Sequence, residues 1–152
     1  LQIEGGETEM DKTMLDRLGE PLVHLIRNAV DHGLETPDAR VKSGKRPQGT
    51  IRLSAHQEGG EIVILLEDDG RGLDAQAILA RAIERGLVAA EDTLPAQAIH
   101  NLIFAPGFST AMAVTSVSGR GVGMDAVKTT IEDLGGAVEI ATDPGRGTRI
   151  SL

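Results

Sequence analysis

Apolar residues recur at intervals of three and four early in the chain, which is the spacing of one face of an α-helix. This apolar stripe consists of Leu15, Leu18, Leu22, Leu25, Ile26, Ala29 and Val30. Asp11 is a suitable N-cap, and proline favours the first turn of a helix. We therefore predict one helix from Asp11 to about Leu18, a second that restarts at Gly19-Glu20-Pro21, and a glycine stop at Gly33.

The strand pattern is clearest in the middle of the chain and at its end. Residues 1–4 resemble a short strand, 50–56 alternate apolar with polar positions, and 62–66 form a continuous apolar run. The turn 58–61 contains two glycines and should join the middle pair as a hairpin. Residues 137–142 and 148–152 predict a closing strand pair, and 34–48 predict a polar loop with one helical turn at 37–43.

Three further helices are predicted between the strands, at 73–85, 95–104 and about 124–134. Asp74 is the expected cap of the first of these helices and Gly86 its stop. Hairpin strands dominate the order of elements. The fold class is therefore α+β: a two-layer sandwich with a mixed, mainly antiparallel sheet covered by helices on one face.

Composition limits the function classes. The 152 residues are enough for one domain with its own core. A formal net charge of −8 and a near absence of aromatic residues argue against a nucleic-acid partner. The absence of cysteine excludes thiolate chemistry and fits a cytoplasmic location. Neither a membrane-spanning run nor a signal peptide is visible, so we expect no direct membrane insertion. The chain starts and stops in strand-like runs, which suggests a fragment, 1–152, of a longer protein.

Two polar residues interrupt the helical stripe at a spacing that places them one above the other. His24 and Asn28 are four residues apart, and Asp31 and His32 follow one turn later. The group is either a satisfied polar flank or the edge of a ligand site. Imidazole and carboxamide groups can both reach a divalent ion, and Mg²⁺ in proteins usually has few protein ligands plus phosphate oxygens.

Glycine-rich segments supply the second set of candidates. In the first, Asp68-Asp69-Gly70-Arg71-Gly72, a buried strand ends in two carboxylates, and a carboxylate there can accept from the amine of a purine. In the second, Gly119-Arg120-Gly121-Val122-Gly123, free N–H groups precede a helix and suit a polyphosphate. Alone, these segments could also be an acidic surface turn and a flexible linker, and Gly145-Arg146-Gly147-Thr148 a plain hairpin turn.

Taken in order, these motifs resemble the ATP-binding fold shared by histidine kinases, gyrase, heat-shock chaperones and MutL, the GHKL superfamily. The order is H-x-x-x-N on a helix, D-x-G-x-G after a strand, F-x-P-G-F, G-x-G-x-G before a helix and G-x-G-T before the last strand. Within that superfamily, residues 19–33, 106–110 and 117–125 resemble the catalytic domain of the CheA-type chemotaxis histidine kinases.

The resemblance implies a Mg-ATP site and assigns its residues. Asn28 would ligate Mg²⁺ between the phosphates, with His24 beside it as ligand or supporting residue, and both would be catalytic. Asp68 would accept from the adenine amine. The other implied nucleotide contacts are His32, Gly70, Gly72, Arg81, Ser118, Gly119, Arg120, Gly121, Val122, Gly123 and Thr148. Residues 105–118 would form a lid anchored by Phe104 and Phe108.

Three departures from the superfamily pattern matter. Relatives often carry lysine where this chain has Ala111 to Ala113 and Ala77, so phosphate neutralisation would fall to Mg²⁺, Arg81, Arg120 and backbone. Hydrolysing members carry glutamate where this chain has His24, which favours transfer over hydrolysis. An ATPase that drives a conformational change and a non-catalytic nucleotide-binding module remain the alternatives.

The implied partners lie outside this sequence. Neither His56 nor His100 is in a context that resembles the phosphoacceptor, so the γ-phosphoryl group would pass to a histidine on a separate phosphoacceptor domain. Dimerisation and regulatory domains of the same kinase, and through them a receptor and coupling-protein array, complete the expectation. The isolated domain should be a monomer.

Overall fold

The computed structural model describes residues 1–109 and 123–152. Within these ranges five strands form one sheet: β1 Gln2–Glu4, β2 Ile51–Glu58, β3 Glu61–Asp68, β4 Glu139–Asp143 and β5 Gly147–Ser151. The helices of the described part are α1 Lys12–Asn28, which continues as a π-helical turn Ala29–Gly33, then α2 Pro37–Lys42, α3 Ala75–Glu84, α4 Ala96–Asn101 with a 3₁₀ turn Leu102–Phe104, and α5 Met124–Asp133. The predicted elements are therefore present, with their ends shifted by one or two residues.

The strand order is β1-β2-β3-β5-β4. Only β1 pairs in parallel, with β2, and the other three pairings are antiparallel. The β2–β3 hairpin turns at Gly59 and Gly60, whose φ angles of 61° and 91° are the left-handed values that a tight hairpin of this kind requires. The predicted mixed, mainly antiparallel sheet is confirmed.

The two faces of the sheet differ in what they contact. Inward-facing residues such as Leu66 and Ile150 pack against Leu25 of α1 and Val127 of α5 in the main core. The alternate residues, which point to the other face, include charged ones: Arg149 Nε donates to Glu67 Oε1 on the neighbouring strand at 2.6 Å. Because strand side chains alternate between faces, the helices cover one side of the sheet, as predicted.

The predicted restart of the first helix is wrong. Helix α1 begins after the N-cap Asp11, whose carboxylate accepts from two backbone N–H groups, and it continues without interruption through Gly19 and Pro21. Pro21 lies buried inside the helix and gives up one backbone hydrogen bond. Burial of Leu18 and Leu25 on the same face offsets that loss, because packing of an apolar face contributes more to a protein helix than intrinsic propensity does.

A second, smaller core joins α3 and α4 to the segment that follows them. Its buried members are Ile78, Ala82, Ile99 and Phe108. Phe104 belongs to the main core instead, so the two phenylalanines are both buried. Their role as lid anchors stays a prediction. The predicted lid beyond Ser109 lies outside the described residues. None of the described helices is long and apolar enough to cross a membrane.

Candidate functional site

A cavity of about 570 Å³ opens between the sheet, the end of α1 and the start of α5. This volume is typical of small-molecule sites. Its walls are largely aliphatic, with Leu25, Leu66, Ile140 and Ile150 among them. The predicted site residues that line it are His24, Asn28, His32, Asp68, Gly72, Arg81, Gly123 and Thr148. The structure therefore brings together residues that are more than 100 positions apart in the chain.

His24 and Asn28 form one wall of the cavity, and their stacking on α1 is confirmed. Asn28 Nδ2 lies 3.1 Å from His24 Nε2 and donates to Met124 Sδ at 3.0 Å. An amide nitrogen only donates, so His24 Nε2 is the acceptor and carries no proton. This arrangement turns the carbonyl oxygen of Asn28 towards other partners and makes it the group of this side chain suited to a hard cation.

The ionisation of His24 agrees with its role as acceptor. Burial lowers the pKa of His24 from 6.5, and the positive charge of Arg27 lowers it further. Asp125 and Glu20 act in the opposite direction but do not reverse the shift. His24 is therefore neutral at physiological pH and keeps a lone pair for the Asn28 amide.

The donor set fits a magnesium ion that arrives with phosphate. Among residues 1–109 and 123–152, no cluster of three or more histidine, aspartate or glutamate side chains could hold a metal. Mg²⁺ with bound nucleotide needs only one or two protein oxygens, since phosphates and water supply the rest. Asn28 Oδ1 meets that requirement. His24 Nε2 is already engaged with Asn28, so of its two implied roles the geometry favours support over direct ligation.

Asp68 lines the same cavity at the point where β3 ends. Its Oδ1 accepts from Gly70 N at 2.9 Å, and it pairs with Thr148 of β5 in the sheet. Burial raises the pKa of Asp68 above 3.8, and the N–H groups of Gly70 and Thr148 oppose that rise. An acceptor held by backbone donors in a partly dry cavity is suited to a single polar group on an otherwise flat, apolar ligand.

The glycines of the first glycine-rich segment have different roles. A Cβ on Gly70 would lie 2.1 Å from Gly33 O, so Gly70 lets the two backbones touch. Gly70 is therefore buried behind Asp68 and does not line the cavity, contrary to the sequence-based expectation. Gly72 lines the cavity in a left-handed conformation, with φ of 74°, close to Asp143 O. Gly33 ends the π-helical turn without a positive φ, so it is not a left-handed helix cap. Glycine suits this position because a side chain here would crowd the Asp68 carboxylate.

Arg81 and Phe108 form the wall contributed by α3 and the residues after α4. The Arg81 guanidinium carbon lies 5.6 Å from the centre of the Phe108 ring, within reach of a cation–π contact. Ala77 lines the same wall, at the position where lysine was expected from the resemblance. Gly123 is the N-cap of α5 and faces the cavity. The other predicted phosphate contacts, Ser118 to Val122, lie outside the described residues.

Sequence reasoning missed the layer behind Asp68. Arg40 and Lys45, which do not line the cavity, donate to the peptide oxygens of residues 69 and 70, and Glu35 accepts from both of them. Nothing in their spacing indicated this, since they come from a polar stretch predicted as a loop. The one available signal was the density of charge between Glu35 and Arg46.

Comparison with known proteins identifies relatives along the whole chain. Residues 15–152 match the family described as histidine kinase-, DNA gyrase B-, and HSP90-like ATPase. The chain is 53% identical over 149 residues to the chemotaxis protein CheA of Rhizobium meliloti, covering 98% of this chain and 20% of the relative. It is 47% identical to CheA of Bacillus subtilis, covering 100% and 23%, and 50% identical to the sensor histidine kinase CheAY of Helicobacter pylori, covering 100% and 19%.

The fold has solved counterparts as well. The histidine kinase domain of the blue-light activated histidine kinase of Erythrobacter litoralis has a TM-score of 0.56 and 15% identity, covering 99% of this chain and 51% of that one. At this identity the likeness concerns the fold alone. The chain spans about a fifth of the length of the curated relatives it matches. The resemblance expected from the motifs is confirmed.

Proposed function

Because the chain belongs to the histidine kinase-, DNA gyrase B- and HSP90-like ATPase family, we propose that it is the ATP-binding catalytic domain of a CheA-type histidine kinase. It binds Mg-ATP and directs the γ-phosphoryl group to a histidine on a separate phosphoacceptor domain. One observation carries the proposal: a carboxylate, Asp68 at the exit of β3, and a carboxamide, Asn28 at the end of α1, line one largely aliphatic cavity.

The Asp68 end receives the adenine. The Asp68 carboxylate accepts a hydrogen bond from the exocyclic amine, and Thr148 and Gly72 border the base. Aliphatic lining residues such as Ile140 and Ile150 would cover its faces. A buried polar acceptor discriminates strongly, because a base without the amine leaves the carboxylate unpaired.

The Asn28 end receives the phosphates. Asn28 Oδ1 would hold the Mg²⁺ that the nucleotide brings, and His24 holds the Asn28 amide in place by accepting from its Nδ2. When bound, the ion neutralises charge that develops on the phosphoryl oxygens. His32, which is exposed, and Arg81 also line the cavity, and Arg81 adds a positive charge to it.

The site favours transfer over hydrolysis. Activation of water needs a base with an available lone pair beside the phosphates. The side chain in that position, His24, already uses its Nε2 lone pair for the Asn28 amide. A neutral imidazole needs no such base, because its attacking nitrogen carries no proton: the P–N bond forms as the bond to the ADP oxygen breaks.

The decisive experiment mixes this chain with Mg-[γ-³²P]ATP and a CheA-type phosphoacceptor domain. We expect acid-labile label on the acceptor, and none on an acceptor whose histidine is replaced by glutamine. Steady phosphate release at a rate indifferent to the acceptor would favour a conformational ATPase instead. ATP binding without either product would favour a non-catalytic nucleotide module, an outcome consistent with Ala77 in place of lysine.

The remaining expectations follow from the same proposal. Dimerisation, regulation and contact with a receptor and coupling-protein array belong to the other four fifths of a protein of the relatives' size. A cytoplasmic location and a monomeric isolated domain stay predictions. Sedimentation of the purified chain, with and without Mg-ATP, tests the monomer.

A further inference from the structure

Arg40 is the one charged residue that is fully buried among the described residues, with 2% of its surface exposed. Its guanidinium donates to Arg46 O at 2.8 Å, to Glu35 Oε2 at 3.1 Å, and to both Asp69 O at 3.1 Å and Asp69 Oδ2 at 2.9 Å. These acceptors compensate the cost of removing the guanidinium charge from water.

Lys45 approaches the same peptide from a second direction. Its ammonium donates to Glu35 Oε1 at 2.7 Å, to Asp69 O at 3.0 Å and to Gly70 O at 2.7 Å. The three donors of a lysine are thereby all used. We name Glu35, Arg40 and Lys45 together the carbonyl clamp. Neither cation of the clamp lines the nucleotide cavity.

The clamp reaches Asp68 through one peptide bond. Asp69 O, which both cations of the clamp contact, belongs to the same planar unit as Gly70 N. That N–H donates to Asp68 Oδ1 at 2.9 Å. Because a trans peptide is rigid and its O and H point in opposite directions, fixing the oxygen towards the clamp aims the N–H at the Asp68 carboxylate. Cations on the oxygen also polarise the N–H and strengthen the bond it donates.

Two further contacts hold the residues on either side of this peptide. Thr50 N donates to Asp69 Oδ1 at 2.8 Å, and Arg71 N donates to Gly33 O at 2.9 Å. Glu35 follows Gly33 by two positions. The segment after α1 is therefore joined to the exit of β3 twice, directly through Gly33 O and indirectly through the clamp.

We propose that Arg40 and Lys45 are positioning residues for base recognition: through the Asp69–Gly70 peptide they hold the Asp68 carboxylate in the orientation that selects adenine. The inference rests on the proposed function. A purely structural clamp would change stability, or would weaken all nucleotides equally. A positioning clamp changes the preference between bases.

The test compares ATP with inosine triphosphate, whose base has a carbonyl oxygen in place of the amine. Affinities are measured calorimetrically with Mg²⁺ for the wild type, Lys45→Met and the matched control Lys128→Met. Lys128 also pairs with a glutamate, Glu132 at 3.7 Å, on an exposed helix face. We expect the ratio of ATP to inosine triphosphate affinity to fall about fivefold or more in Lys45→Met, the size of one lost polar contact, and to be unchanged in Lys128→Met.

A second variant keeps the test valid if Lys45→Met does not fold. Lys45→Gln retains a short amide donor without the charge, and the same ratio should fall, though less. Equal loss of both affinities, or an unchanged ratio in a folded variant, overturns the inference. A wild type that binds neither nucleotide overturns the proposed function first, whereas a wild type that prefers ATP while the Lys45 variants keep that preference overturns the clamp alone.

Discussion

The two ends of the cavity are built by different means. At the base end, Asp68 is held by backbone: Gly70 N binds its carboxylate, and Gly33, Gly70 and Gly147 bring three chain segments into direct contact around it. At the end that we propose for the metal, Asn28 is held by side chains of α1 and α5, namely His24 and Met124. The orientation of the Asn28 side chain should therefore depend on single side chains, and that of the Asp68 side chain on chain packing.

Both ends share one electrostatic feature. Burial is the largest cause of the raised pKa of Asp68 and of the lowered pKa of His24, so each group is pushed towards its neutral form. A ligand that donates a hydrogen bond to Asp68 compensates the desolvation of that carboxylate, whereas a cation near Asn28 further disfavours protonation of His24. The comparison predicts that variants at the two ends will separate into losses of transfer and losses of base selectivity.

Asn28→Ala should have the largest effect. Removing the only carboxamide at the metal end should lower phosphotransfer by at least about 100-fold, because the ion no longer neutralises charge in the transition state. Most of the Mg²⁺ dependence of binding should disappear, while weak binding through the base persists. Initial rates with the acceptor domain measure the first effect and calorimetry the second. Asn101→Ala on α4 is the control, and a mutant with full transfer would disprove the metal assignment.

Asp68→Asn should weaken ATP binding by about 1.5–3 kcal/mol, the worth of a hydrogen bond to a charged group. The folded pKa of Asp68 lies above 3.8, so the ionised carboxylate costs stability at every pH above 3.8. The free energy of unfolding at pH 7 should therefore not fall in the variant. Calorimetry and denaturant titration give the two quantities.

Asp133→Asn is the matched control for that substitution, since Asp133 is exposed and only 3.8 Å from Arg17 in a surface pair. ATP affinity equal to that of the wild type in Asp68→Asn would show that the base binds elsewhere.

His24 should make Mg-ATP binding depend on pH. The folded pKa of His24 lies below 6.5, so neutral His24 contributes stability above pH 6.5. That contribution is lost as pH falls from 6.5 through the folded pKa. Protonated His24 cannot accept from Asn28, so Mg-ATP affinity should fall about tenfold over the same window. His24→Gln retains an acceptor and should remove this acidic limb, whereas the exposed His56→Gln should keep it. An identical pH profile in His24→Gln would contradict the pairing.

Gly33→Ala should have the smallest effect. Its Cβ would lie 3.2 Å from Asp68 Oδ2, so the carboxylate must shift by a few tenths of an ångström. We expect ATP affinity to fall about fivefold, equivalent to about 1 kcal/mol of overpacking. Gly19→Ala meets nothing within 4 Å on exposed α1 and should leave affinity unchanged while stabilising the helix by about 0.5–1 kcal/mol. Unchanged affinity in Gly33→Ala would mean that Asp68 is free to move.

Local periodicity was enough to predict several parts of the site. The four-residue spacing of His24 and Asn28 places them on one helical face in any α-helix, and the structure confirms their contact. The apolar run before Asp68 predicts a strand that delivers a carboxylate to its end, and the strand β3 ends at that residue. These features depend on neighbours within a few positions, so the sequence states them directly.

Other features depend on contacts between distant segments, and local rules failed at each of them. Pro21 signals a helix start, yet the packing of Leu18 and Leu25 carries α1 through it. Gly33 resembles a left-handed stop, yet it is glycine because Asp68 lies against it. In both cases a tertiary contact outweighs a local preference of about 1–3 kcal/mol.

The amino-acid sequence by itself determined the family, the element order, and the residue types at the two ends of the cavity, because these are written in short motifs and periodicities. Only the tertiary structure decided three contacts. Gly70 N donates to Asp68, His24 accepts from Asn28, and Arg40 and Lys45 bind the carbonyl of the Asp69–Gly70 peptide. The hydrogen bonds of Arg40 and Lys45 to Asp69 O join positions 29 and 24 residues apart. Their geometry is set by how the sheet and helices pack, which no local pattern encodes.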